Sequence, residues 1–374
     1  METNDRLHAL DALRAMAMLS VVVFHACVSY MTLRIPDLLW AIYDPRPDAF
    51  FDRLFLWIHG FAMPVFFLIA GFFAAKLYKT LGPRRFLENR SRRILRPFLL
   101  GVMAILPFIY IVWSYGWFLS GESDARSVLL FKIARPIRRN LYGPAHLWFL
   151  EYLMIHILIF YFAGRYQKIS GPRCAKRILF SPLRPVFFAL PTALILLIHP
   201  GALFALRNSF IPEPFRLLHY AWFFIAGVWL YPFRENLADL VPKSGFYLLL
   251  SLPVFCWVEP LIKRHLAAPL YGVELFWLAV STALFVWLSV FGLLGISLRF
   301  FKNERPVVRC LSDASYWIYL CHLPVVGFFQ IILYLWPHSA FIKFPVVVLS
   351  ALAFGLTTHR LLYRTTSHRE RSSL

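Results

Sequence analysis

Two side chains near the start of the chain could carry chemistry, because they stand in a segment that otherwise belongs inside a membrane. The segment LDALRAMAMLSVVVFHAC (10–27) contains Arg14 and His25, eleven residues apart. At about 100° per residue, this spacing puts both side chains on one face of a helix, roughly 16 Å apart along its axis. A charged group at the centre of a bilayer costs about 2.5–3.5 kcal/mol, so such groups usually face a cavity or a partner. We therefore predict that this helix lines a cavity open to the cytoplasm.

Both side chains also have plainer explanations, which the sequence leaves open. Arg14 lies near the predicted cytoplasmic end of the helix, where its side chain could extend to the lipid headgroups and pair with Asp11 one turn earlier. His25 lies deeper, where it could be a neutral imidazole hydrogen-bonded to another helix. Two polar side chains in register favour a cavity over two separate structural roles.

The composition indicates what surrounds this helix. Hydrophobic residues make up 60% of the 374-residue chain, charged residues 16%, and the mean hydropathy is +0.63, whereas a soluble domain holds about 45–50% apolar residues. No second module is indicated, so we treat residues 1–374 as a single membrane domain whose first helix is retained as an anchor. We predict an all-α, polytopic integral membrane protein with about ten transmembrane helices, at about 11–31, 50–75, 97–118, 147–164, 186–204, 216–231, 245–262, 273–297, 312–335 and 344–363.

The net charge of +20 is explained by topology rather than by nucleic acid binding. Ten spans with the N-terminus inside place both termini in the cytoplasm. The densest basic stretches, at 76–96, 165–184, 299–309 and in the C-terminal tail, then all fall on the cytoplasmic side, as the positive-inside rule requires. These cations would contact anionic membrane lipids.

The sequence indicates neither a metal site nor a nucleotide-hydrolysing site. The five cysteines are scattered, three of them inside apolar runs, and no pair has metal-ligand spacing. No His-x3-His set and no Gly-rich phosphate loop occurs in the sequence. We therefore predict no metal and no direct coupling to ATP.

Four stretches, in order along the chain, resemble motifs of the membrane acyltransferase-3 superfamily. The first helix, with Arg14 and His25, resembles its opening helix, which carries an Arg and a His separated by ten residues. WIHGFAMPVFFLIAGFFAA (57–75) resembles its aromatic-rich second helix, and RRILRP (92–97) its basic entry to the third helix. SYWIYLCHLPVV (315–326) resembles its late SxxIYLxHxP helix.

The segment HLWFL (146–150) resembles one branch of that superfamily, the enzymes that succinylate osmoregulated periplasmic glucans. Two positions depart from the branch: Leu323, where it often has a second His, and Ala70, where it tends to have Ser. The resemblance implies an enzyme of the bacterial inner membrane that moves an acyl group from cytoplasmic acyl-CoA to a hydroxyl of a glycan outside the membrane. Succinyl is the favoured group, and acetyl stays open.

The resemblance also implies chemical roles for His25 and for three arginines. His25 would be the general base, because a neutral imidazole can take a proton from an attacking hydroxyl near neutral pH. Arg14, Arg93 and Arg96 lie at the predicted cytoplasmic mouth, where guanidinium groups could hold the phosphates of coenzyme A through bidentate hydrogen bonds. For Arg93 and Arg96, ordinary positive-inside anchoring is an equal alternative.

Two further histidines could orient the acceptor or relay a proton. His322 lies inside the ninth predicted span, where a buried imidazole needs a polar partner. His146 opens the fourth span beside Trp148, and there an ordinary interfacial position explains it equally well. His59, at the outer start of the second span, could line the acceptor entrance, and Glu151 is an intramembrane acid; the sequence does not indicate the role of either.

A transporter or flippase for a glycan or an acyl donor is the alternative class of function. Ten spans with intramembrane polar groups suit a carrier, yet carriers often contain internal repeats with matched broken helices, and the sequence shows no such symmetry. Loss of acylation on substitution of His25 alone would separate the two classes. The sequence does not indicate an oligomeric state.

Overall fold

A computed structural model describes residues 3–123, 143–166, 175–204 and 208–371, and in these ranges every regular element is a helix. This confirms the prediction of an all-α membrane protein. Short 3₁₀ segments lie at Val28–Tyr30, Ala145–Leu147 and Tyr231–Leu240, and a π-helical turn at Ser91–Leu95. The α-helices are α1 (Thr3–Cys27), α2 (Ala49–Leu81), α3 (Pro83–Arg90), α4 (Arg96–Leu119), α5 (Trp148–Tyr166), α6 (Ala175–Phe180), α7 (Arg184–Ile198), α8 (Gly201–Phe204), α9 (Pro214–Leu230), α10 (Ser244–Ala267), α11 (Gly272–Phe300), α12 (Pro306–Ile332) and α13 (Ala340–Arg371).

Several helices have the length and composition to cross a membrane, so the chain is a multi-pass membrane protein. Within the described ranges, seven helical stretches meet that condition: His8–Tyr30, Ala49–Leu119, Ala145–Gly164, Ser244–Ala267, Gly272–Phe300, Pro306–Ile332 and Ala340–Leu362. The stretch Ala49–Leu119 contains both α2 and α4, which the sequence predicts as separate spans. The ten-span count and the cytoplasmic termini stay predictions.

The predicted span at 186–204 is divided in the structure. Helix α7 ends at Ile198, and the short helix α8 begins at Gly201. His199 adopts an extended backbone, φ −147°, because the residue before a proline avoids the helical region, and Pro200 follows it. The 15-residue α7 is therefore shorter than the prediction.

Capping residues fix where two helices begin at the end of the bundle that holds the C-terminus of α1. Asp48 Oδ1 accepts a hydrogen bond from the N–H of Phe50 at 2.8 Å and caps α2. Glu213 caps α9 through both carboxylate oxygens, and Pro214 occupies the first helical position. Side-chain acceptors satisfy N–H groups that the helix itself leaves open, and a proline there has no N–H to lose.

Close helix packing positions α1 and α2 in the centre of the fold. Helix α1 packs against α2, α11 and α12, and α2 packs against α9. A Cβ at Gly71 would overlap the carbonyl oxygen of Phe224, and a Cβ at Gly227 would overlap that of Leu68. The two glycines therefore let the backbones of α2 and α9 touch, which places the first turns of α9 beside the N-terminal half of α2.

Candidate active site

The structure joins His25 of α1 to His322 of α12. His25 Nδ1 lies 2.9 Å from His322 Nε2, and His322 Nδ1 lies 2.8 Å from the carbonyl oxygen of Tyr319. A carbonyl can only accept, so His322 Nδ1 carries a proton, and Nε2 of the neutral ring accepts from His25 Nδ1. Of the four ring nitrogens, His25 Nε2 is then the one whose lone pair is not used within the two histidines. A general base needs such a lone pair to accept a proton.

The segment before α5 docks onto the same part of α12. His146 Nε2 lies 3.0 Å from the carbonyl of Leu320 and donates to it, and the Tyr319 hydroxyl donates to the carbonyl of His146 at 2.5 Å. The imidazole centroids of His146 and His322 are 5.0 Å apart. Ala145 has φ 48°, a left-handed conformation that is unusual for a residue with a side chain. Its N–H donates to the Asn208 side chain at 2.9 Å, which helps to hold that conformation.

The connection between α1 and α2 places Trp40 against His25. The two rings are nearly parallel, with an interplanar angle of 12° and centroids 6.0 Å apart. The Trp40 indole N–H donates to Gln330 Oε1 at 2.7 Å. The indole N–H groups of Trp113 and Trp117 donate to the carbonyls of Leu39 and Trp40, so α4 fixes this segment from the other side. Trp40 is therefore held rigidly beside the candidate base.

A cavity of about 690 Å³ opens at these residues, and both His25 and His146 line it. Its walls include the C-terminal part of α1, the α1–α2 connection, the start of α2, residues 199–203 and residues 208–216, which all lie at one end of the bundle. In the predicted topology this is the outer end. Aromatic rings cover much of the wall, and its other polar residues include Asp37, His59, Tyr152, His199, Asn208, Ser209, Glu213 and Arg216. A cavity with aromatic faces and a few converging polar groups is typical of a ligand site.

The arginines predicted to bind the donor, Arg14, Arg93 and Arg96, do not line this cavity. Arg14 and His25 both contact α12, Arg14 through Ser312 Oγ at 2.7 Å, so they share one face of α1 as their spacing indicates. Arg14 also pairs with Asp11 at 3.2 Å and does not line the cavity. The cavity lies at the opposite end of α1 from Arg14, and the predicted opening toward the cytoplasm stays a prediction.

Some of the remaining predicted residues line the cavity, and others lie outside it. Arg93, in the π-helical turn before α4, and Arg96, at the start of α4, are exposed and lie outside the cavity. His322 is fully buried behind His25 and reaches the cavity only through it. His59, whose role the sequence leaves open, lines the cavity, and its Nε2 lies 3.0 Å from the carbonyl oxygen of Leu203. Glu151 lies outside, with its Oε2 buried and without a hydrogen-bond partner in the described part of the chain.

Sequence reasoning missed Trp40, Tyr319 and Arg216. The first lies in a connection without periodicity, and the others resemble ordinary helix residues until α5, α9 and α12 come together. Two signals were present: Arg216 is an Arg inside an apolar run, and Tyr319 stands in the quoted stretch SYWIYLCHLPVV. No group of three His, Cys, Asp or Glu residues that could hold a metal ion occurs within residues 3–123, 143–166, 175–204 and 208–371.

Comparisons with known proteins identify the family of the chain. The model of the acyltransferase-3 family, described as "Acyltransferase domain", matches residues 7–360. Proteins named "Glucans biosynthesis protein C" from Salmonella heidelberg (strain SL476), Salmonella schwarzengrund (strain CVM19633) and Salmonella agona (strain SL483) are each 26% identical, over 89% of this chain and 85% of the relative. No solved structure gives a significant match. The family match spans nearly the whole membrane domain, including the His25–His322 pair, and the chain therefore belongs to the acyltransferase-3 family of membrane acyltransferases.

Proposed function

We propose that this protein moves an acyl group from cytoplasmic acyl-CoA to a hydroxyl of a glucan outside the cytoplasmic membrane, with His25 as general base. Succinyl is the favoured group and acetyl the alternative. The observation that carries the proposal is the hydrogen-bonded His25–His322 pair at the wall of the cavity, which leaves the His25 Nε2 lone pair for a substrate.

The pair supplies a route for the transferred proton. His25 Nε2 takes the proton of the acceptor hydroxyl while its oxygen attacks the thioester carbon. A C–O bond forms, the C–S bond breaks, and the proton passes from His25 to the departing thiolate, which gives free coenzyme A and the ester. During the step His25 is an imidazolium, and the His322 Nε2 lone pair stabilises it through the 2.9 Å hydrogen bond. His322 is thus a positioning residue.

The cavity wall suits a sugar acceptor. Trp40, Trp113 and Trp148 offer flat apolar faces to pyranose rings, and Asp37 and Asn208 offer acceptors and donors to hydroxyl groups. We propose that His146, which lines the cavity and is tied to α12, helps to orient the acceptor. The glucan itself is carried over from the names of the Salmonella relatives.

The donor would approach from the other end of α1. We propose that Arg14, Arg93 and Arg96 hold the phosphates of coenzyme A at the cytoplasmic face, since guanidinium groups match phosphate geometry. Because Arg14 lies outside the cavity, the pantetheine arm has to pass the packed middle of α1, roughly 16 Å long, to reach His25. The basic cytoplasmic surface would also contact anionic lipids of the bacterial inner membrane.

Mass spectrometry of envelope glucans tests the proposal. Cells with the wild-type protein should carry glucans with a succinyl or acetyl mass increment, and His25→Ala should remove it while the protein still inserts. His338→Ala is the matched control, because His338 is exposed and lies outside the cavity. An unchanged mass increment in the His25 variant would contradict the general-base role. The absence of any increment in the wild type would contradict acyl transfer to glucan.

A further inference from the structure

A proline inside α12 leaves one backbone carbonyl of that helix without its usual partner. In an α-helix, each carbonyl accepts a hydrogen bond from the N–H four residues later. For the Leu320 carbonyl this position is Pro324, which has no N–H. A proline ring also clashes with the carbonyl four residues before it and loosens the helix there. The Leu320 carbonyl is therefore available to a donor from outside α12.

The side chain of His146 supplies that donor. Its Nε2 lies 3.0 Å from the carbonyl oxygen of Leu320, and the side chain is 5% exposed. Inside a membrane, water does not replace a missing backbone N–H, so a neighbouring segment has to provide the partner. His146 is thus held at a gap in the hydrogen-bond ladder of α12, and Pro324 creates that gap.

The same bond fixes the tautomer of His146. Because a carbonyl can only accept, Nε2 carries the proton, and the lone pair of the neutral ring is on Nδ1. Nδ1 has no hydrogen-bond partner in the described part of the chain, and the residue lines the cavity. In this tautomer His146 can serve a glucan hydroxyl only as a hydrogen-bond acceptor, through Nδ1.

One turn of α12 holds both His146 and the catalytic pair. The carbonyls of Tyr319 and Leu320 are consecutive, and they accept from His322 Nδ1 at 2.8 Å and from His146 Nε2 at 3.0 Å. The two ring centroids are 5.0 Å apart. His322 in turn holds His25 through the 2.9 Å hydrogen bond. The backbone of this turn therefore sets the position of the acceptor wall relative to the base.

We propose that Pro324 is a positioning residue for acyl transfer, because the N–H that it lacks makes the Leu320 carbonyl the acceptor that fixes His146. This assignment rests on the proposed transfer to a glucan. An N–H restored at position 324 would compete for the carbonyl and draw it back toward the helix axis. His146 would then take either tautomer and hold the glucan less well. The hydrogen bond between His322 and the Tyr319 carbonyl does not involve Pro324 and should persist.

Kinetics of the full-length protein in lipid nanodiscs test the effect on the acceptor, with succinyl-CoA and acetyl-CoA as donors. Pro324→Ala should raise KM for a linear glucan about 3- to 10-fold, the loss expected for a neutral hydrogen bond, and should change kcat less than about threefold. In a His146→Ala background the same substitution should leave KM nearly unchanged, because the carbonyl then has no side chain to hold. Pro253→Ala is the control, since Pro253 lies on an exposed face of α10 outside the cavity.

A spectroscopic measurement tests the hydrogen bond itself, independently of activity. Solid-state NMR of protein containing ¹⁵N-labelled histidine separates protonated from unprotonated ring nitrogens, and the His146 signals are those lost in His146→Gln. The wild type and Pro253→Ala should show a protonated Nε2 and an unprotonated Nδ1 at His146, and Pro324→Ala should show a mixture of tautomers. If Pro324→Ala does not fold, Pro324→Val decides, because it also restores the N–H and keeps an apolar side chain of similar size.

The other outcomes count against the assignment or against the reaction. An unchanged KM or an unchanged His146 tautomer in the Pro324 variant would overturn the positioning role, as would the same rise in KM with and without His146. Failure of both Pro324 variants to fold would overturn it too, because the proline would then serve only the packing of α12. Transfer of neither acyl group by the wild type would overturn the proposed function, while the NMR result would still decide whether Pro324 sets the state of His146.

Discussion

At the scale of single residues, the site depends on which nitrogen of each imidazole carries the proton. His322 is fully buried and donates to the Tyr319 carbonyl, so its other nitrogen faces His25 as an acceptor. That acceptor fixes both the ring orientation and the tautomer of His25. The same logic holds in a Ser-His-Asp triad, where the buried third residue orients the base and stabilises its charged form.

Two substitutions of His322 should therefore have different effects. His322→Gln can still present a carbonyl oxygen to His25 Nδ1 and should retain part of the acylation rate. His322→Leu removes the acceptor and should lower kcat by about 10²–10⁴, the usual range for general-base catalysis, with little change in KM for the glucan. Steady-state kinetics of the reconstituted variants measures both constants. Equal activity of the two variants would mean that His322 only fills space.

The sequence predicted some of these residues and not others, for a physical reason. Arg14 and His25 stand on one helix, so the helical period alone places them on a common face, and His322 has the same reason as His25 to need a partner. Trp40 stacks on His25 only because α4 and Gln330 hold an irregular connection in place. Arg216 reaches the cavity only because α9 packs closely on α2. Contacts of that kind depend on tertiary structure and have no local period.

At the scale of helices, the glycine contact between α2 and α9 sets the position of the wall that carries Arg216. Gly227→Ala would force a methyl group against the carbonyl of Leu68, and backbone cannot move aside as a flexible side chain can. We expect it to destabilise the protein by about 1–3 kcal/mol. Gly245→Ala, near the start of α10 with open space at its Cβ position, should be neutral or slightly stabilising. Thermal unfolding in detergent compares the two, and an unchanged Tm for Gly227→Ala would show that the helices are not in close contact.

Helix boundaries show where sequence patterns stop being informative at this scale. Apolar composition marks α7, Pro200 and α8 as one continuous stretch, and only the backbone restriction before the proline divides it. The run from α2 to α4 is the opposite case. Its composition separates two predicted spans, whereas in the structure the basic segment between them is also helical. Hydropathy reports how apolar a segment is, whereas these boundaries depend on backbone geometry.

At the scale of the whole molecule, a buried ion pair joins the α1–α2 connection to α13, at the same end of the bundle as the cavity. Lys343 Nζ, in the first turn of α13, lies 2.6 Å from Asp44 Oδ2, and the two side chains are 1% and 2% exposed. Asp44 also accepts from the N–H of Arg46 at 3.0 Å, and its own N–H donates to the carbonyl of Ser29. The pair thus fastens the connection that carries Trp40 to the last helix.

Because removal of one partner leaves a buried charge uncompensated, Asp44→Asn or Lys343→Met alone should cost about 3–5 kcal/mol of stability. The double variant should recover a large part of that loss, since neither charge is then left unpaired. Thermal unfolding of the four proteins in detergent gives the coupling, and losses that simply add would mean that each residue acts separately. Acylation should follow the same order at a temperature where the single variants are still folded. The rigid position of Trp40 beside His25 depends on the α1–α2 connection. Hydrogen bonds from α4 and α12 hold this connection, and the Lys343–Asp44 pair ties it to α13.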